Sequence, residues 1–129
     1  MILLDTHVLV WAVEDSKRLS RPAASAIRRN RRHGGLAVSA ITLWELAWLL
    51  SRGRVQARGT IEAGVRLLLE DVTVFQITPA IAALATQFPE DYPHDPTDRI
   101  IGATARAEGL TLVTRNEKIR RSPLLKTVW

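Results

Sequence analysis

A chain of 129 residues, 47% of them hydrophobic and none of them cysteine, has room for one domain over 1–129 with a sizeable core, and it excludes disulfides and thiolate-bound zinc. Eighteen Lys and Arg against thirteen Asp and Glu leave a formal net charge of +5, which favours an anionic partner, nucleic acid or an acidic protein. No apolar run is long enough to span a bilayer, and the opening Met1-Ile2-Leu3-Leu4 meets Asp5 before any signal-like segment forms, so a cytoplasmic protein without membrane association is expected.

Ile2-Leu3-Leu4 reads as a short buried strand that stops at Asp5. An apolar helix from about Val8 to Val13 follows. Ser20-Arg21-Pro22 is a helix start, with serine as N-cap and proline in the first turn. That helix carries Arg28, Arg29, Arg31 and Arg32 and stops at Gly34-Gly35. Leu36-Ala37-Val38 is a second buried strand, and Ser39 leads into the most apolar helix, through Ile41, Trp44, Leu46, Trp48 and Leu50. Thr60 to Leu69 is a further helix, Val72 to Ile77 a β-branched strand, and Pro79 opens a helix toward Phe88. After a polar, proline-rich loop over 89–95, Pro96 starts a helix closed by Gly109. Leu110 to Val113 is a buried strand and Thr127 to Trp129 an edge strand. Continuous apolar strands alternating with helices predict an α/β sandwich around a mostly parallel sheet. Pattern alone does not set the strand order.

Ligands bind such sheets at the carboxyl ends of the strands, and several polar residues fall there. Asp5 ends the first strand, and Asn116 and Glu117 follow the last buried one. Asp98 lies in the first turn of its helix, where the helix dipole favours any acid. Asp5 has the alternative role of an N-cap. Glu45 is the least ordinary, because a carboxylate among Trp44, Leu46 and Trp48 costs several kcal/mol (order of magnitude) unless a cation or donor meets it. An arginine would be its structural partner. A shared acidic site and separate structural roles both stay open at this level. If the acids converge, oxygen ligands without His or Cys select Mg²⁺ or Mn²⁺ over zinc, and a basic surface around such a pocket suits a nuclease. The arginines are either that polyanion-binding surface or solvated helix face.

The same residues carry a family likeness. Leu3-Leu4-Asp5-Thr6-His7-Val8-Leu9-Val10-Trp11 resembles the opening motif of VapC-type PIN domains. Ser39-Ala40-Ile41-Thr42-Leu43-Trp44-Glu45 and Asp95-Pro96-Thr97-Asp98-Arg99-Ile100-Ile101-Gly102 resemble its second and third motifs, and Val113-Thr114-Arg115-Asn116-Glu117 its fourth. The resemblance implies a three-layer α/β/α sandwich and a metal-dependent endoribonuclease. It also implies an RNA substrate, a small VapB-like antitoxin and commonly a homodimer, with apolar surface around Trp11, Trp44 and Trp48 as the expected contact. By position, Asp5, Glu45 and Asp98 match the family's first three acids as metal ligands. The fourth is usually Asp and here is Asn116, which keeps a place among the catalytic candidates while removing one negative charge. Glu117 is a candidate to compensate. Asp95 reads better as a cap and His94 as an exposed loop residue, while Thr6 and Thr114 either orient the ligands or simply hydrogen-bond locally. A PIN-fold protein that binds without cutting is the alternative that Asn116 suggests.

Overall fold

The computed structural model describes residues 1–129 and joins five strands into one sheet: β1 Ile2–Leu4, β2 Leu36–Ser39, β3 Val72–Phe75, β4 Leu112–Val113 and β5 Thr127–Val128. Their order is β3-β2-β1-β4-β5 and every pairing is parallel. In register, Leu3 stands beside Ala37 on one side and Leu112 on the other. Although these strands are apolar throughout, the pleat still divides them. Ile2, Leu4, Leu36, Val38 and Val113 join one core cluster, while Leu3, Ala37 and Leu112 join a second. The first is covered by α1 Thr6–Glu14, α2 Arg21–Arg32, α3 Ala40–Ser51 and α4 Ile61–Leu68; the second by α5 Pro79–Ala85, α6 Pro96–Glu108 and α7 Glu117–Arg120. Helices on both faces make the three-layer α/β/α sandwich. No helix is long and apolar enough to cross a membrane.

The chain runs outward from β1 through β2 to β3, then returns to β4 on the other flank of β1. The order therefore reverses between β1 and β4, which opens a crevice beyond their carboxyl ends.

Helix starts follow the capping chemistry in the sequence. Ser20, Ser39, Thr60, Thr78 and Asp95 each accept a bond from a first-turn amide through their side chains, and Pro22, Pro79 and Pro96 sit where no donor is lost. Three expected boundaries move inward. Leu110 N–H donates to Ala105 O at 2.9 Å, closing α6 over Gly109 (φ 65°), so β4 begins only at Leu112. The helix from Pro79 ends at Ala85, and Phe88 instead turns to stack on Tyr92 at 3.9 Å. The strand from Val72 ends at Phe75, where its pairing with Ser39 finishes. The short α7, capped by Asn116, is too brief to show a helical period in the sequence.

Candidate active site

Asp5 leaves β1 at the crevice and caps α1, accepting from Thr6 N–H at 2.8 Å. Its other oxygen accepts from the Thr114 hydroxyl just beyond β4, also at 2.8 Å. Thr114 Oγ1 in turn accepts from Asn116 N–H at 3.1 Å. On α3, Glu45 accepts from the Thr6 hydroxyl, whose oxygen lies 3.0 Å from Thr42 Oγ1. One buried threonine thus couples the two acids, so the donor that meets Glu45 is a hydroxyl and not the arginine that a purely structural role would have supplied. Asp98 arrives on the first turn of α6. Asp95 caps that helix through Thr97 N–H at 2.8 Å, and the Tyr92 hydroxyl donates to Asp98 O at 3.0 Å. A Cβ at Gly102 would collide with the Tyr92 hydroxyl, so this tyrosine can lie across α6 only because residue 102 is glycine.

Asp5, Glu45, Asp98 and Asn116 line a single cavity of about 340 Å³, with His7, Trp11 and Arg115 at its wall. Burial raises the pKa of Asp5 against the opposing hydrogen bonds from Thr114 and Thr6. Burial likewise raises Glu45, with neighbouring Asp5 and Asp95 adding to it. Asp98 is pushed up to about 7, first by burial, then by Asp5, Asp95 and Glu45. None of the three forms an ion pair with Lys, Arg or His. The pocket therefore gathers desolvated carboxylates that no salt bridge satisfies, with His7 opposing only part of the charge on Asp5 and Glu45.

No three His, Cys, Asp or Glu side chains are drawn together into a ready-made cage. A Mg²⁺-type ion does not require one, since it keeps waters and takes one or two carboxylates plus substrate phosphate oxygens. All-oxygen donors and like-charged carboxylate neighbours fit such an ion.

The remaining candidates separate. Glu117 is turned away, 3.5 Å from Arg121 on exposed surface, so it does not replace the missing fourth acid. Asn116 lines the pocket, but its Oδ1 accepts from Lys118 N–H and Ile119 N–H at 3.0 and 3.3 Å. His94 is exposed, and Arg99 Nε donates to Pro93 O at 3.0 Å, pairing with no acid. Three contributors had not been anticipated: Thr42, Tyr92 and Arg115, whose guanidinium lies over Trp11 at 5.9 Å. Thr42 and Arg115 fall within the second and fourth motifs, but nothing local in the sequence marks Tyr92 as reaching six residues to a backbone carbonyl.

Two other surfaces bear on function. Ile41, Trp44, Trp48 and Leu49 form an apolar groove of about 680 Å³ that shares Glu45 with the acid pocket and is bounded by Asp95 and Pro96. Trp44 is 61% exposed and Trp48 39%, whereas Trp11 is half-buried against Trp129 and Arg18 and is not part of that surface. Arg28, Arg29 and Arg32 line a separate, wholly polar cleft of about 580 Å³ on α2 with Ser25 and His33.

The PIN-domain family model matches residues 2–123. The chain is 41% identical over 130 residues to Ribonuclease VapC22 of Mycobacterium tuberculosis, covering 99% of this chain and 98% of that protein. Among solved structures, VapBC2 from Rickettsia felis, bound to a DNA fragment from its promoter, superimposes with TM-score 0.75 at 20% identity over 99% of this chain and 98% of that one. A toxin–antitoxin complex from Klebsiella pneumoniae matches with TM-score 0.69 at 26% identity, over 100% and 97%. The chain belongs to the PIN-domain family and, within it, to the VapC ribonucleases.

Proposed function

We propose that residues 1–129 form one nuclease domain, a divalent-cation-dependent endoribonuclease that acts as the toxin of a cytoplasmic toxin–antitoxin pair. The observation that carries this reading is the meeting of Asp5, Glu45 and Asp98, from three separate elements, in one desolvated pocket with no cation partner. These three carboxylates would hold Mg²⁺ or Mn²⁺. When bound, such an ion supplies charge to offset that of the phosphodiester and of the departing oxygen. The chain's own groups do the rest. Thr114 and Thr6 orient the carboxylates of Asp5 and Glu45, leaving further acceptor capacity on both in residues that line the cavity. Tyr92 and Asp95 fix the start of α6 and hence Asp98. Arg115 brings positive charge to the same wall for the RNA backbone.

The partner follows from the groove beside Glu45. Two exposed tryptophans next to the acid pocket would seat an apolar segment of a small VapB-like antitoxin, whose docking covers the site, and apolar surface on the same helix would serve a second copy in a homodimer. Relatives with this fold occur in toxin–antitoxin complexes, which supports the pairing.

The test is cleavage of RNA by purified chain with Mn²⁺, Mg²⁺ or EDTA. Cleavage with either ion, its loss in EDTA and its loss in Asp5→Asn are expected. RNA that is bound but never cut under any of these conditions would make the chain a binding module instead.

A further inference from the structure

Resting on the ribonuclease reading, the geometry points to Asn116 as a hydrogen-bond donor to a phosphate oxygen of the bound RNA, and not as a ligand of the cation. Three contacts define the side chain and its backbone N–H. Oδ1 accepts from Lys118 N–H and Ile119 N–H, which caps α7. The backbone N–H donates to Thr114 Oγ1, which itself donates to Asp5.

A carbonyl oxygen has two lone pairs, and both are engaged by helix amides. The amide cannot be turned over, because Nδ2 carries hydrogens and has no lone pair to offer those two N–H groups. No protein group meets Nδ2, and no buried side-chain nitrogen in the molecule lacks a partner, so Nδ2 faces solvent in a residue that lines the acid cavity. What position 116 presents is therefore an N–H donor.

The contrast with the acids is one of arithmetic. Asp5 has one protein donor on each oxygen, Glu45 has one on Oε1 alone, and the Asp98 carboxylate has none; each oxygen has room for about two. Those three keep capacity for a cation, and Asn116 has spent its own on α7. Arg115, the preceding residue, lines the same cavity. Two consecutive residues thus add donors to a cavity whose acids supply acceptors. A phosphodiester, whose bridging position must lie near the cation while its free oxygens seek N–H groups, fits between them.

Asn116→Ser separates the two roles, since serine is an equally good N-cap but its hydroxyl is too short to present a donor in the same place. The readouts are thermal midpoint, Mn²⁺ affinity of the RNA-free protein by calorimetry, and affinity for a substrate RNA in EDTA, where nothing is cut. The expected result is an unchanged midpoint, Mn²⁺ affinity within about twofold of wild type, and RNA affinity lower by roughly tenfold, the loss of one hydrogen bond to a charged group. Weakened Mn²⁺ binding with RNA affinity intact overturns the assignment and makes Asn116 a ligand. Both affinities intact leave it a helix cap only and overturn it equally. Wild-type protein that neither binds RNA in EDTA nor cuts it with Mn²⁺ defeats the ribonuclease reading itself, a different failure from the other two.

Discussion

The acid pocket and the arginine end of α2 hold like charges in opposite ways. At the carboxyl edge of the sheet, three carboxylates are drawn partly out of water and two of them, Asp5 and Glu45, are tied by threonines, so their mutual repulsion is weakly screened and favours a cation locally. At the other edge, α2 ends at Arg32 and the chain returns through Gly34-Gly35 to the first residue of β2. There Arg28, Arg29, Arg31 and Arg32 stand in solvent without one ion pair. Salt screens these cations but scarcely reaches the carboxylates. The lesson is that one charge cluster acts through fixed geometry and the other through a field. Substitutions at the two ends should fail in different observables.

The largest separation is expected between Asp5→Asn and the double variant Arg29→Ala with Arg32→Ala. Outer partners of a metal ligand are typically worth ~10–100-fold in activity, so a ligand is worth more. Asp5→Asn should lower cleavage beyond roughly a hundredfold while RNA binding in EDTA holds or improves. The arginine pair should leave single-turnover cleavage at saturating RNA unchanged. A large drop in saturated cleavage for the arginine pair would erase the distinction.

Between the two edges lies the tryptophan groove. Trp44→Ala should leave the thermal midpoint nearly unchanged, because this indole is mostly in water. Antitoxin affinity should fall by roughly thirtyfold or more, as for a central aromatic anchor. Titration calorimetry with the purified partner reads both this loss and any spread of it to the arginine variant, where little is expected.

Proton linkage sharpens the contrast further. Asp98 is raised to about 7, so between its ordinary range near 4 and about 7 the folded protein holds a proton that the unfolded chain has released. By linkage, the cation-free fold is then stabilised at low pH and loses that contribution as pH rises through this window. Melting temperature in EDTA should fall from pH 5 to 8, and Mn²⁺ should restore it most at the upper end, where no proton competes. Asp98→Asn should weaken both trends, leaving the smaller part that Asp5 and Glu45, also raised, contribute. The arginine variant should leave them in place, and an equal flattening there would mean the pH response is not local to the pocket.

The smallest effect is electrostatic. RNA affinity of the double arginine variant should fall, with a log–log salt slope shallower by about 1.5 if both cations meet phosphates, the counterion count for two contacts. An unchanged slope measured between low and moderate salt would leave α2 a solvated face.

Much of this architecture was legible because its signals are local. Strand cores, caps at Ser20, Ser39 and Asp95, and the breaks at Gly34-Gly35 and Gly109 all act over a few residues. The positions of the acids at strand ends and on the apolar helix were legible in the same way, but their meeting in one cavity was not. Strand order was not, since parallel pairing of Leu3 with Ala37 and Leu112 links residues far apart in the chain. The hydroxyl partner of Glu45 escaped for the same reason, being Thr6 at a separation of 39 residues. Asn116 shows a subtler limit: motif position set it among the acids, but only the turn into α7 reveals which of its atoms is already engaged.

The bond between Asp5 and Thr114 spans 109 residues, and this bears on biosynthesis. The first acid is made well before the hydroxyl that orients it. Until β4 has emerged and docked beside β1, Asp5 lacks that support and the crevice lacks one wall. A nascent or prematurely ended chain therefore carries three of the four motifs without an assembled pocket. The site is finished only once the segment carrying Thr114 has been made and has docked beside β1.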